Sequence, residues 1–302
     1  MVRTTGFRRG PSRQLKIDFR AWLLIAPALF FILIFTVYPI LRSLWLSFNQ
    51  LEMGMDKPIF IGFQNYAQLA SDPLFWKVMR NTFFFSLLTV LPSMAIGIGL
   101  ALIVNTKIKG VGFLRTAYFY PAVMPMIAIA STWMFIYMAQ YGMLDQILIS
   151  LGLKSLNVLS GKKTVLPALS AMYVWKEAGY LMIFFLSGLQ NISAEIYEAA
   201  RIDGARPWTT FSKITLPLLA PTLLFVSTIA MTNSLKLVDH IVIMTEGAPN
   251  NASTLLLYSI YREGFINFDQ GKASILTVIM LAIMLTVSMI QFLKTDNRIH
   301  YN

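Results

Sequence analysis

The sequence contains no cysteine. Disulfides, thiol nucleophiles and thiolate metal sites are therefore excluded. Histidine is almost as scarce: His240 and His300 are the only two, too few for a histidine-rich metal site. Charge is low as well, with Asp, Glu, Lys and Arg at 13% of the 302 residues. A soluble domain spends about 25% of its residues on these four types. There is no G-x-x-x-x-G-K-[ST] phosphate loop. The nearest approach, Ser160-Gly161-Lys162-Lys163-Thr164, has Leu156 in place of the first glycine. No carboxylate pair or histidine cluster stands out as catalytic, so the sequence does not read as an enzyme. What the chain has in quantity is apolar surface. Hydrophobic residues make up 56%, and the mean hydropathy is +0.63. This is the composition of an all-α integral membrane protein. The net charge of +11 does not point to nucleic acid, because membrane proteins concentrate Lys and Arg in their cytoplasmic loops.

A helix that crosses the bilayer needs about 20 mostly apolar residues. Six runs meet this expectation. Ala21 to Leu41, Asn81 to Thr106, Thr116 to Leu144 and Ala273 to Leu293 carry no Asp, Glu, Lys or Arg apart from their flanks. Val165 to Gln190 is interrupted by Lys176 and Glu177, and Leu218 to Thr245 by Lys236, Asp239 and His240. The expected architecture is six transmembrane helices over 21–293. A basic tail (1–20) precedes them and a short tail (294–302) follows.

Fourteen Lys and Arg residues fall on the side of the two tails: Arg3, Arg8, Arg9, Arg13, Lys16, Arg20, Lys107, Lys109, Arg115, Arg201, Arg206, Lys213, Lys294 and Arg298. Eight fall on the other, or nine with Arg42. This asymmetry places both termini in the cytoplasm. The outer loops, roughly 49–76, 145–163 and 246–271, are too short for a soluble domain. The first of them, with Phe63, Tyr66, Phe75 and Trp76, reads as an interfacial aromatic stretch.

The connection between the fourth and fifth spans, about 191–217, is longer than a simple turn requires. Ser193 suits an N-cap, and Glu195 and Glu198 lie in the opening turns, where the helix dipole favours acids. Gly204 and Pro207 end that helix. A second short helix from about Trp208 to Lys213 then leads back to the membrane. Ala199, Ala200, Gly204 and Ala205 give the element a small surface, open to close approach by another protein.

These residues also carry a resemblance. Glu198-Ala199-Ala200, Asp203-Gly204-Ala205, Phe211, Ile214, Leu216-Pro217 and Pro221 resemble the EAA motif of permease subunits in bacterial ATP-binding-cassette importers. Phe60 to Tyr66, Asp239 to Thr245 with Gly247-Ala248-Pro249, and Tyr258 to Phe265 resemble the carbohydrate-uptake branch, which includes maltose and glycerol-3-phosphate permeases. The resemblance implies a cytoplasmic coupling helix in which Glu198, Ala199, Ala200, Asp203, Gly204 and Ala205 contact an ATPase. It implies a second homologous permease, two ATP-binding subunits and an extracytoplasmic solute-binding protein as partners, in the bacterial inner membrane. ATP and Mg would bind the partner subunits, leaving no cofactor on this chain. The pore would change its access side when the ATPases close on ATP.

Charges inside the hydrocarbon are costly and usually face a cavity. Asn233, Lys236 and His240 recur at helical spacing and are expected on one face. One reading is a polar path for a hydroxyl-rich solute, with Asn233 and Lys236 lining it, Glu177 nearby, and Trp175 or Tyr173 stacking on a sugar face. The other is structural, with Lys236 paired to Asp239 or Glu177; Asp239 fits this second reading better. Glu177 as a proton carrier would instead suit an ion-coupled secondary transporter acting alone. Such a transporter has no need of an ATPase-docking helix.

Overall fold

The computed structural model describes residues 11–106 and 109–296. Of the cations used for orientation, Arg3, Arg8, Arg9, Lys107 and Arg298 lie outside the described residues, as does His300. The side chains of Arg13, Lys16, Arg20 and Lys294 lie outside them too.

Among the described residues the regular structure is helical apart from one small antiparallel hairpin. It begins with α1 (Pro11–Ile32), which passes through a π-helical turn (Leu33–Val37) into α2 (Tyr38–Leu46). The π-turn has a local cause. Pro39 has no N–H to give the Phe35 carbonyl, so the ladder widens and the Tyr38 N–H reaches back to Leu33 O. Strands β1 (Asn49–Gln50) and β2 (Ile59–Phe60) pair with Asn49 opposite Phe60. Then come α3 (Gln64–Ser71) and α4 (Pro73–Val104). Asp72 caps α4 by accepting from the Leu74 N–H at 2.8 Å, and Pro73 occupies the first turn, where no donor is missed. Tyr66 and Asn65 brace the hairpin, through Ser47 Oγ at 2.7 Å and Asn49 O at 2.9 Å. Phe63 and Trp76 remain exposed beside it, as an interfacial stretch requires.

The third apolar run is not one straight span. It forms α5 (Val111–Val123) and α6 (Met126–Ile136), bent by 97°. Pro125 disfavours helical backbone at Met124, which is extended (ψ 139°). A short helix, α7 (Met143–Ser150), follows. The most extensive helix packing among the described residues is between α4 and α8 (Val165–Gln190). Helix α8 is the central element: Leu169, Met172, Leu181, Met182 and Phe185 are all fully buried.

After α8 come α9 (Ala194–Ile202), α10 (Pro207–Thr210), a π-turn (Phe211–Thr215), α11 (Leu216–Leu218) and α12 (Ala220–Leu235). The expected short helix from about Trp208 to Lys213, leading back to the membrane, is present and begins at Pro207. It is the first turn of a nearly continuous helical path into the span. Pro217 repeats the Pro39 device, with the Leu216 N–H bonding Phe211 O. The fifth run also breaks. Helix α12 ends at Lys236, and α13 (Asp239–Met244) restarts beyond Val238. The chain closes with α14 (Leu256–Tyr261), a π-turn (Arg262–Ile266) and α15 (Gln270–Asp296).

Among the described residues four helices are long and apolar enough to cross a membrane, and five if the bent α5–α6 pair counts as one span. Helix α8 is long enough, but Lys176, Glu177 and its Tyr and Gln residues keep it outside that apolar set. Each of the six expected runs contains helix, but length and apolarity support only four or five spans among the described residues. The Ala21–Leu46 helix buries none of its apolar window in this chain.

The segment 140–156 is ordered by one carboxylate. Asp145 accepts from Ser155 Oγ at 2.6 Å and from the backbone N–H groups of Leu156 and Gln140. The Ser155 hydroxyl first, then those amides, hold its pKa below the ordinary carboxylate value. A depressed folded pKa contributes stability above the unfolded value, near about 4, which is lost as pH falls through the folded one. Asp145→Asn is therefore expected to melt lower than wild type at neutral pH. The gap should narrow below about pH 4; thermal scans at two pH values check it.

Candidate functional site

Two sites were expected, an ATPase-coupling helix and a polar path in the membrane, and the fold positions their residues as follows. The first is the α9 element. Ser193 caps it as expected, accepting from the Glu195 N–H at 3.3 Å. Its end is a Schellman motif. The Ala205 N–H bonds Ala200 O at 2.9 Å, the Gly204 N–H bonds Arg201 O at 3.0 Å, and Gly204 adopts φ +71°. Glycine belongs there because an L side chain is strained at that φ.

Helix periodicity then sorts the expected coupling residues. Glu198, Ala199, Asp203 and Gly204 are exposed, and Ala205 is half-buried. Ala200 is a correction: it is buried and packs toward the bundle, so it supports the surface rather than forming it. The Glu198 carboxylate makes no hydrogen bond or ion pair among the described residues. Two neighbours were missed. Ile202 is 86% exposed and Trp208 is 74% exposed. Ile202 follows Glu198 and Ala199 by four and three residues, so it shares their face. An isoleucine at that spacing on a short polar loop was the available signal.

The second site is a polar cleft of about 190 Å³ in the middle of the bundle, lined by Ala122, Lys176, Glu177, Tyr180 and Asn233. Asn233 Nδ2 donates to Glu177 Oε1 at 3.0 Å, joining α12 to α8. The Tyr173 hydroxyl interacts with the same carboxylate from within the core. Tyr173 is only 3% exposed, so it holds Glu177 and cannot stack on a solute as expected. Trp175 is 47% exposed with its ring 5.8 Å from that of Trp133, and it does not line this cleft. Tyr180 was missed, although Tyr173, Glu177 and Tyr180 recur at four and three residues along one helix face.

Lys176 has a different task. Its Nζ donates to the carbonyls of Pro121, Ala122 and Met124 at 2.9 to 3.0 Å. These are the orphaned acceptors at the broken end of α5, where a cation also suits the helix dipole. The ammonium therefore explains how the chain tolerates a 97° bend at membrane depth. Lys176→Met is expected to strand those carbonyls at about 1–3 kcal/mol each. The melting temperature should fall, and Lys176→Arg should restore part of it. Equal melting of wild type and Lys176→Met would contradict this role.

Lys236 is corrected in position. The break after Leu235 interrupts the helical register, so Asn233, Lys236 and His240 do not share a face. Lys236 and Asp239 are exposed, and neither forms an ion pair among the described residues. The expected pairing of Lys236 with Asp239 or Glu177 is therefore absent from this set. His240 is fully buried and stacks on Phe85 with ring centroids 5.6 Å apart.

Comparison with known proteins places these features in context. Residues 78–298 match the family described as binding-protein-dependent transport system inner membrane component. The chain is 32% identical to the trehalose/maltose transport system permease protein MalF of Thermococcus litoralis, over 89% of this chain and 91% of that protein. It is 34% identical to the sn-glycerol-3-phosphate transport system permease protein UgpA of Agrobacterium fabrum, over 93% and 96%. A bacterial ABC transporter involved in the import of the acidic polysaccharide alginate shares the fold. A chain of its crystal structure superposes with a TM-score of 0.82 at 24% identity, covering 94% of this chain and 99% of that one.

Proposed function

We infer what this chain does from the family to which it belongs, the inner membrane components of binding-protein-dependent transport systems. It is a multi-pass membrane permease subunit of an ATP-binding-cassette importer. We propose that it works with a second, homologous permease, two ATP-binding subunits and an extracytoplasmic solute-binding protein. ATP and Mg bind the partner ATPases, which carry out hydrolysis. Both termini face the cytoplasm, as does the α9 element.

The observation that carries the mechanism is the exposed face of Glu198, Ala199, Ile202, Asp203 and Gly204 on a rigid, capped helix. An exposed apolar side chain ringed by small residues suits insertion into a groove on another protein. Because α10 runs almost without interruption into α12, a push on α9 and α10 is delivered to the helix that bears Asn233. The α8–α12 contact at Glu177 and Asn233 then lies in the path of the motion. A self-contained ion-coupled transporter has no use for such a face. The Ala21–Leu46 helix, with no buried apolar window of its own, offers a surface for the second permease and for lipid.

For the cargo we propose a sugar, polyol or glycerol-3-phosphate-like solute. The support is chemical. In the cleft, Asn233 carries donors and an acceptor, Tyr180 a hydroxyl with an aromatic ring, and Glu177 a carboxylate. This set suits a hydroxyl-rich ring or chain. The names of the relatives, trehalose/maltose and sn-glycerol-3-phosphate permeases, lend support.

The test is uptake of labelled trehalose, maltose and sn-glycerol-3-phosphate by vesicles that hold the whole complex. Asn233→Ala is expected to weaken uptake of the transported compound about tenfold, the scale of one lost hydrogen bond to a charged group. Assembly and basal ATP hydrolysis should stay near wild type. Normal uptake by well-folded Asn233→Ala would remove Asn233 from the path. A fall in yield or melting temperature before any uptake defect would make it structural. Lys236→Ala, now placed outside the cleft, is expected to have a smaller effect than Asn233→Ala.

A further inference from the structure

A cleft of about 580 Å³ opens between α9, α10 and the end of α4. It lies in the size range of ligand pockets, about 300–1,000 Å³. We propose that this cleft binds the head group of an anionic phospholipid from the leaflet on this side of the membrane. In this assignment the Arg201 guanidinium holds the phosphate, and Trp208 and Phe211 lie along the first carbons of the acyl chains.

Three observations favour this occupant. Arg201 is the only charged residue on the lining, and its guanidinium makes no hydrogen bond or ion pair among the described residues. A guanidinium in that state matches the geometry of phosphate oxygens. The remaining wall is amphipathic. The rings of Trp208 and Phe211 lie 5.6 Å apart, and Tyr197 OH meets Thr215 Oγ1 at 3.3 Å on the floor. Finally, Leu102 lines the cleft from α4, two residues before that span ends at Val104. The cleft therefore opens where hydrocarbon gives way to head groups, the depth at which Trp and Tyr are enriched.

Within α9 periodicity separates this site from the docking face, and the two meet at Ala205 and Trp208, which line the cleft. Tyr197 and Arg201 are four residues apart and face the cleft. Glu198, Ala199 and Ile202 face away from the bundle. An ATPase seated on Glu198, Ala199 and Ile202 alone leaves the Arg201 side of the cleft open to lipid. The proposal does not depend on which solute is carried.

The test uses the intact complex with its partners in nanodiscs of phosphatidylcholine containing a minority of labelled phosphatidylglycerol. After extraction into mild detergent, the lipid retained per complex is counted by native mass spectrometry. Wild type is expected to retain phosphatidylglycerol in preference to phosphatidylcholine. Arg201→Gln should lower that preference about tenfold, and Arg201→Lys should restore part of it. Trp208→Ala should weaken retention of both lipids. The ATPase subunits should remain bound to Arg201→Gln. Equal retention of the two lipids by wild type, or no change in Arg201→Gln, overturns the proposal. Loss of the ATPases from Arg201→Gln would assign the cleft to the protein interface instead. Release of the labelled lipid by inorganic phosphate alone would make it a site for free anions.

Discussion

Gly204→Asp is expected to leave the chain in the membrane but abolish uptake and substrate-stimulated ATP hydrolysis. The position is open within this chain: a Cβ there would meet nothing within 4 Å. Any effect therefore arises from the backbone or from a partner. The backbone contribution is modest, because a non-glycine residue at φ +71° costs about 1–2 kcal/mol. That cost falls on the Schellman turn at the end of α9, outside the spans, so the helices should still insert. The second contribution is volume and charge added to a surface that enters a groove, and overpacking a tight contact costs about 1–3 kcal/mol. Gly204→Asn separates the two, since asparagine tolerates the left-handed region better than most residues. If strain alone mattered, Asn would restore uptake; if the groove excludes side chains, Asn fails with Asp. Glu198→Lys tests the same face by charge, without touching the turn. Membrane level, ATPase retention and uptake should be measured for each variant. Full uptake with full ATPase association in both Gly204→Asp and Glu198→Lys would reduce the loop to a connector.

Gly179→Ala is expected to damage the fold itself. A Cβ at Gly179 would fall inside the van der Waals contact of the Tyr118 carbonyl oxygen and carbon, with Phe119 Cα next to them. These are backbone atoms of α5, which cannot swing aside as a side chain end can. The neighbouring turns of α5 and α8 are also pinned together by Lys176 on Pro121, Ala122 and Met124. Relief therefore requires the two helices to separate, which loosens the Lys176 hydrogen bonds as well. The expected cost is on the order of 3 kcal/mol or more, at the upper end of overpacking. It should appear as low membrane yield, a depressed melting temperature and loss of uptake. Gly99→Ala is the control, because a Cβ there meets nothing within 4 Å. A mid-helix alanine should be neutral or stabilise by up to about 1 kcal/mol. If Gly179→Ala matches Gly99→Ala in yield and melting, the close approach of α5 and α8 is not a constraint on this protein.

The two glycines show where sequence reading succeeds and where it stops. Gly204 was legible because its job is local. A helix that starts at Ser193 and meets Gly204 and Pro207 must end there, and the turn geometry selects glycine. The job of Gly179 was not legible, because nothing near it in sequence reveals that Tyr118 will cross it. The same division holds for charge. Lys176 stood out as a cation in a span, but its partners lie 52 to 55 residues away. They exist as free acceptors only because Pro125 breaks the third run. A charge pattern cannot foresee acceptors that another part of the chain releases.

Composition alone determined that the chain is an all-α membrane protein, because apolar runs of that length have few other stable environments. Local spacing determined the capped helix of Ser193 to Ile202 and its exposed Glu198 and Ala199, since capping and helical periodicity act within a few residues. Tertiary structure decided the rest. It turned Ala200 inward, bent the third span by 97°, broke the fifth after Asn233, and detached Lys236 from the face it was expected to share. It also made Tyr173 a support for Glu177 while leaving Trp175 open. The physical reason is the same in each case. Helical periodicity fixes which residues share a face only while the helix continues, and proline breaks and long-range polar partners decide where it does.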